Sequence, residues 1–159
     1  MGLRAANLPT DSIQLVPTRD REAVSHLLRM TKYVDVIVPR GGKSLVAKVQ
    51  KESKIPTIAH LEGLCHIYLD EAAELEMAKN VTLNAKMRRT GVCGAAETLL
   101  VDSRAAHKLL PAVAKNLIDH GCILRGDIGS CDLVPEMERA KEVDWSTEYL
   151  DSILSVKLV

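Results

Sequence analysis

The stretch ETLLVDSRAAHKLLPAVAKNLIDHGCIL, residues 97–124, decides the fold. Residues 97–101 form a short apolar run of strand length, followed by the polar pair Asp102 and Ser103. Ser103 stands where a helix N-cap belongs, since a serine oxygen can accept from the free N–H groups of a first turn. The helix so predicted runs towards His120 and stops at Gly121, a residue type that tolerates the left-handed conformation of a helix end. Pro111 falls inside the pattern and predicts a kink or a break, because it offers no N–H and crowds the preceding turn. Residues 122–124 read as a second short strand.

The alternation of strand and helix extends in both directions. Upstream, residues 71–86 are helical in composition, with acids early and lysines late, the order the helix dipole favours. Residues 13–16, 34–38, 55–58 and 66–69 read as strands, the second closed by Pro39 and Gly41-Gly42. Thr18 is expected to cap a helix with Ala23, Val24, Leu27 and Leu28 on its apolar stripe, and a helix over 44–53 buries Leu45, Val46 and Val49. Downstream, residues 155–159 read as a further strand. The expected fold is α/β, a largely parallel sheet flanked by helices. One strand at the start and an apolar run reaching Val159 predict an internal piece of a longer enzyme, incomplete at both ends.

Just before the 97–101 strand, Cys93 lies between Gly91 and Gly94 and follows the cationic residues Lys86, Arg88 and Arg89. Thiolate is the reactive form of cysteine, and neighbouring cations favour it. The glycines permit a tight turn and close approach of a substrate to the sulfur. The alternative is a small buried hydrophobe, since free cysteines are among the most buried residues. The local pattern leaves both readings open. Cys65, Cys122 and Cys131 lack the spacing of a disulfide framework or zinc knuckle and read as reduced, cytosolic thiols. His60, Cys65 and His66 lack an evident fourth ligand, so no metal site is expected.

The composition narrows the function classes. The 159 residues balance 21 Lys and Arg against 21 Asp and Glu, which argues against an electrostatic nucleic-acid binder. Aromatic content of 3%, without phenylalanine, demands an aliphatic core and leaves few platforms for stacking bases. The longest apolar runs fall far short of a membrane span, and the start carries no secretory pattern. A cytoplasmic protein without nucleic-acid or membrane partners is expected.

Several motifs occur together in order. Pro39-Arg40-Gly41-Gly42 follows an expected strand, and Gly63-Leu64-Cys65-His66-Ile67-Tyr68-Leu69-Asp70 follows a turn. Asn84-Ala85-Lys86 precedes Arg89 and Cys93, and Glu97-Thr98-Leu99-Leu100-Val101 completes the set. Each is weak alone; their order and spacing are specific. From about residue 13 to 159 the chain resembles the gamma-glutamyl phosphate reductases (glutamate-5-semialdehyde dehydrogenases) of the aldehyde dehydrogenase superfamily, including Leu28-Arg29-Met30 before Lys32-Tyr33.

The resemblance implies NADPH-dependent reduction of gamma-glutamyl phosphate to glutamate-5-semialdehyde and phosphate, a step of proline biosynthesis. It places Cys93 at the nucleophile position and implies Lys86, Arg89 and Asn84 as substrate-binding residues. Arg88 has as its alternative a solvated helix end, and Asn84 a local backbone role. The Cys93 N–H is expected as an oxyanion donor. On the NADP(H) side the resemblance implies Arg40, Gly41, Gly42 and Glu62, the last without a base role. Cys65, within a family motif, is expected to be buried packing. Gly94 departs from the pattern, standing where many members carry asparagine. Residues 1–60 are implied to be the C-terminal part of a nucleotide-binding domain, and 61–159 the N-terminal part of the catalytic domain. Implied partners are a second copy of the enzyme and the upstream kinase of the pathway. Two competing readings remain: an aldehyde dehydrogenase that hydrolyses its thioester, and a non-catalytic α/β module that binds partners.

Overall fold

The computed structural model describes residues 2–159, divided into two compact units, one reaching Leu61 and the other spanning Glu62–Val159. Among the described residues the first unit holds three α-helices, α1 (Gly2–Ala5), α2 (Glu22–Leu27) and α3 (Lys43–Glu52), and a 3-10 turn over Thr10–Ser12. Leu28, Val46, Val49 and Ile55 are its buried apolar residues. Helix α3 buries Val46 and Val49, spaced three apart, because side chains at that interval share one face. Thr18 does not cap α2, whose N-cap residue is Arg21. Asp20 accepts from the Glu22 N–H at 2.9 Å, while Thr18 accepts from the Asp20 N–H at 3.1 Å.

The first unit also departs from the expected strands. Residues 13–16 are irregular, with Ile13 75% and Leu15 91% exposed. Residues 34–38 and 55–58 meet only at one parallel bridge, Ile37 to Thr57. Apolar β-branched runs supply the propensity for a strand, but a strand exists through its ladder of partner hydrogen bonds, and this unit provides one rung.

The second unit carries the sheet. Its elements are β1 (Cys65–Leu69), α4 (Leu75–Met87), β2 (Ala96–Val101), α5 (Ala106–Asp119), β3 (Ile123–Gly126), α6 (Ile128–Leu133), β4 (Glu138–Arg139) and β5 (Ile153–Leu158). The strands pair in parallel in the order β1-β2-β5-β3-β4, so the last strand in the chain lies at the centre. Leu99 and Val101 of β2, Leu154 and Val156 of β5, and Leu109, Leu110, Val113 and Leu117 of α5 have no measurable exposure. Burying each such leucine contributes roughly 1.5–3 kcal/mol. Helix α4 packs on α5 and β2, which places its C-terminal end beside the start of β2.

Around α5 the local reading needs two corrections. The helix runs uninterrupted through Pro111; Pro111 and His107, whose carbonyl loses its helical partner there, are both exposed. Ser103 is not the cap. The Asp102 carboxylate takes the Arg104 N–H at 2.8 Å, and the Ser103 hydroxyl donates to the Val159 carbonyl at 2.8 Å. Gly121 ends the helix region at φ +83°, a conformation glycine adopts without a Cβ penalty.

Candidate active site

Cys93 sits on a tight turn closed by the Ala95 N–H to the Val92 carbonyl at 2.9 Å, and its thiol side chain is exposed. The turn leads directly into β2, which begins at Ala96. Among the described residues, the Cys93 N–H has no acceptor, as an oxyanion donor requires. Gly94 has nothing within 4 Å of where a Cβ would stand, so the space that an asparagine would fill is open. Arg88 and Arg89, between α4 and the turn, are exposed and form no ion pair among the described residues. Asn84 is exposed in the last turn of α4, where its carbonyl accepts from the Arg88 N–H at 3.2 Å.

Lys86 is placed differently from its neighbours. It is completely buried, and its Nζ lies 2.7 Å from Oε2 of Glu97, itself 1% exposed. The other carboxylate oxygen of Glu97 accepts from the Leu150 N–H at 3.3 Å. The charge of Lys86 is therefore paired inside the protein with Glu97. The pair joins the end of α4 to the start of β2, on either side of the Cys93 turn.

The segment 148–150 completes the support. Glu148 Oε1 accepts from the Gly63 N–H at 3.1 Å. A Cβ on Gly63 would stand 2.5 Å from the Cys93 carbonyl oxygen, so only glycine permits this approach. The Tyr149 hydroxyl bonds Asp144 and Ser155, each at 2.8 Å, while its ring lies beneath the Lys86 ammonium and the Arg125 guanidinium. Burial works to raise the Asp144 carboxyl, but the Lys141 N–H, the Tyr149 hydroxyl and Arg125 outweigh it and hold it below the usual range. Leu150 adopts φ +54°, turning its N–H onto Glu97. Gly63, Cys93 and Leu150 precede β1, β2 and β5 respectively. The site thus gathers at the N-terminal edge of three adjacent strands, opposite to the edge where open α/β sheets commonly bind ligands.

The sequence model of the Aldehyde dehydrogenase family matches residues 2–121. The chain belongs to the aldehyde dehydrogenase family. Within that family it is 56% identical, over 159 residues, to a gamma-glutamyl phosphate reductase of Brucella suis biovar 1, covering 99% of this chain and 38% of the relative. The crystal structure of gamma-glutamyl phosphate reductase from Thermotoga maritima superposes with a TM-score of 0.87 at 38% identity, again over 99% of this chain and 38% of the other. An acetylating aldehyde dehydrogenase from Geobacillus thermoglucosidasius shares the fold, with a TM-score of 0.66 at 19% identity over 98% and 42% of the two chains. This aldehyde dehydrogenase chain therefore spans about two fifths of the length of these relatives.

The remaining residues of interest fall in both units. Arg40, Gly41 and Gly42 belong to the first, where Gly42 is the N-cap residue of α3 and no acid occupies the helix's first turn. Glu62 is exposed and immediately precedes Gly63, the residue packed against the Cys93 backbone. Cys65 is exposed, not buried packing: its sulfur donates to the Cys93 carbonyl oxygen at 3.5 Å, because β1 begins beside the turn. Cys122 is buried, and burial pushes its thiol up to about 11. Glu148 and Tyr149 were not singled out in the sequence, and Glu97 stood there only within a motif, without a role. Gly63 carried a usable signal, a glycine just ahead of a strand; Glu148 and Tyr149 lie 55 or more positions after Cys93 and carried none.

Proposed function

We propose that this chain carries the nucleophile and part of the cofactor site of an NADPH-dependent gamma-glutamyl phosphate reductase of proline biosynthesis. The reading is carried by the exposed Cys93 turn in a chain 56% identical along its length to such an enzyme. The Cys93 thiolate attacks the acyl carbon of gamma-glutamyl phosphate, the carbon–oxygen bond to phosphate breaks, and a thioester forms on Cys93. Dividing one displacement into two easier steps is the advantage of such an intermediate. The Cys93 N–H stabilises the oxyanion of each tetrahedral stage. After reduction, the hemithioacetal on Cys93 collapses, the carbon–sulfur bond breaks, and glutamate-5-semialdehyde leaves with the thiolate regenerated.

Arg89 binds the phosphate or the carboxylate of the substrate through its planar guanidinium, with Arg88 adding positive field. Asn84 contributes a hydrogen bond from the last turn of α4. Lys86 acts by holding Glu97. In the first unit, a helix start with Arg40 nearby and no acid in its first turn fits the phosphates or ribose of a dinucleotide. Arg40, Gly41, Gly42 and Glu62 are assigned to that role; NADPH when bound supplies the hydride. The two units are read as parts of the nucleotide-binding and catalytic domains. Among the described residues no helix is long and apolar enough to cross a membrane. A cytoplasmic setting, a homo-oligomeric enzyme and the pathway's upstream kinase as a partner complete the reading.

The test is the reverse reaction. Any NADPH that purified chain yields from glutamate-5-semialdehyde and NADP+ should require phosphate and be lost in Cys93→Ala. Phosphate-independent turnover would identify a hydrolytic aldehyde dehydrogenase instead.

A further inference from the structure

We infer that Cys65 is a resolving partner for Cys93, so that peroxide oxidation of the nucleophile ends in an intrachain Cys65–Cys93 disulfide. The two thiols are exposed, and Cys65 Sγ already lies 3.5 Å from the Cys93 carbonyl oxygen. Gly63, two residues earlier in the run leading into β1, would place a Cβ 3.6 Å from the Cys93 Cβ. Cys65 opens β1 two residues on, and its sulfur meets the Cys93 backbone directly through that contact. A disulfide requires Cβ atoms about 3.5–4.5 Å apart. The Val92–Ala95 turn, with open space beside Gly94, is the part that yields to bring them together. Cys122 is buried and Cys131 half-buried in α6, so Cys65 is the exposed thiol placed to compete.

The chemistry balances with a hydroperoxide as oxidant. The Cys93 thiolate attacks the peroxide, the O–O bond breaks, and Cys93 sulfenic acid and hydroxide form. The Cys65 sulfur then attacks the sulfenic sulfur, the S–S bond forms, and water leaves with the Cys65 proton. The peroxide is reduced, and the two cysteines share the oxidation. A nucleophile stopped at the disulfide is recovered by a thiol, whereas sulfinic and sulfonic acids are not.

This rests on Cys93 being the reactive thiol of the reading above, and the two ideas fail separately. Iodoacetamide labelling of the unoxidised chain tests reactivity: Cys93 should alkylate before Cys65, Cys122 and Cys131, and slower labelling of Cys93 would sink the nucleophile reading. Hydrogen peroxide treatment of the intact chain, followed by non-reducing peptide mapping, tests the pairing. The expected product is a linked Cys65–Cys93 pair two hydrogen atoms lighter than the thiols, with Cys93 alkylation restored by dithiothreitol. Cys65→Ser and Cys65→Ala, each matched to the parent chain by circular dichroism, should instead accumulate Cys93 sulfinic and sulfonic acids several-fold faster. Equal overoxidation in parent and variants, or pairing of Cys93 with another cysteine or a second chain, would overturn the inference.

Discussion

Replacing Lys86 with methionine keeps the length and apolar stem of the side chain while removing its charge. In the structure, that ammonium and the Glu97 carboxylate are 0% and 1% exposed and 2.7 Å apart. Without it, the Glu97 carboxylate retains, among the described residues, the 3.3 Å bond from the Leu150 N–H. Removing one partner of a buried ion pair costs about 3–5 kcal/mol, because the remaining charge is neither solvated nor neutralised. Set against a typical domain stability of about 5–15 kcal/mol, this is a large fraction. Urea unfolding of the second unit, followed by circular dichroism, should show a lower midpoint with an unchanged slope. The double variant Lys86→Met with Glu97→Leu should recover much of the loss, since apolar replacement of both partners is often neutral or better. A drop below about 1 kcal/mol in the single variant, the range of a solvent-screened surface pair, would refute the assignment. So would a double variant no more stable than the single one.

Arg89→Ala supplies the opposite signature: its exposed side chain forms no ion pair among the described residues, so the unfolding midpoint should move by less than about 0.5 kcal/mol. Its Michaelis constant for the phosphorylated substrate should rise, and an unchanged constant would remove its role. Gly63→Ala places a methyl 2.5 Å from the Cys93 carbonyl oxygen and forces the turn to shift, at an expected cost of about 1–3 kcal/mol. Cys93 alkylation should change in rate with it; parent-like rate and stability would contradict the close approach. Asp102 lies well below the usual carboxylate range, held there first by the Arg104 side chain, then by the Arg104 N–H, with Tyr68 adding a bond at 3.0 Å. Its stabilisation is therefore present above about pH 4, the unfolded value, and is lost as the pH falls towards the depressed folded value. Asp102→Asn should flatten the acid limb of thermal stability against pH, and an identical limb would count against the cluster.

Much of the site was legible because its pieces are local. A cysteine between glycines ahead of an apolar run describes a turn feeding a strand, and the Val92–Ala95 bond and β2 are that arrangement. The order of the motifs pointed to the family whose sequence model matches residues 2–121. The burial of Lys86 was not legible in the sequence, for a physical reason. A lysine in a cationic run looks solvated, and its burial depends on a carboxylate 11 residues on, brought beside it when α4 packs against β2. The same holds for Glu148, which grips Gly63 across 85 residues.

By itself, then, this sequence determined α2 to α5, the strands β1, β2, β3 and β5 and the turn at Cys93, because periodicity, glycine and short apolar runs act over a few residues. Only the tertiary structure decided which apolar runs became strands. Residues 13–16 and 34–38 carry the composition of strands but find no ladder, since pairing is a property of two segments and not of one. Only the tertiary structure, too, placed β5 at the centre of the sheet and so carried segment 148–150 beneath the nucleophile. Burial, and with it the difference between a lysine that meets a substrate and one that neutralises a glutamate, is set by what packs around a residue.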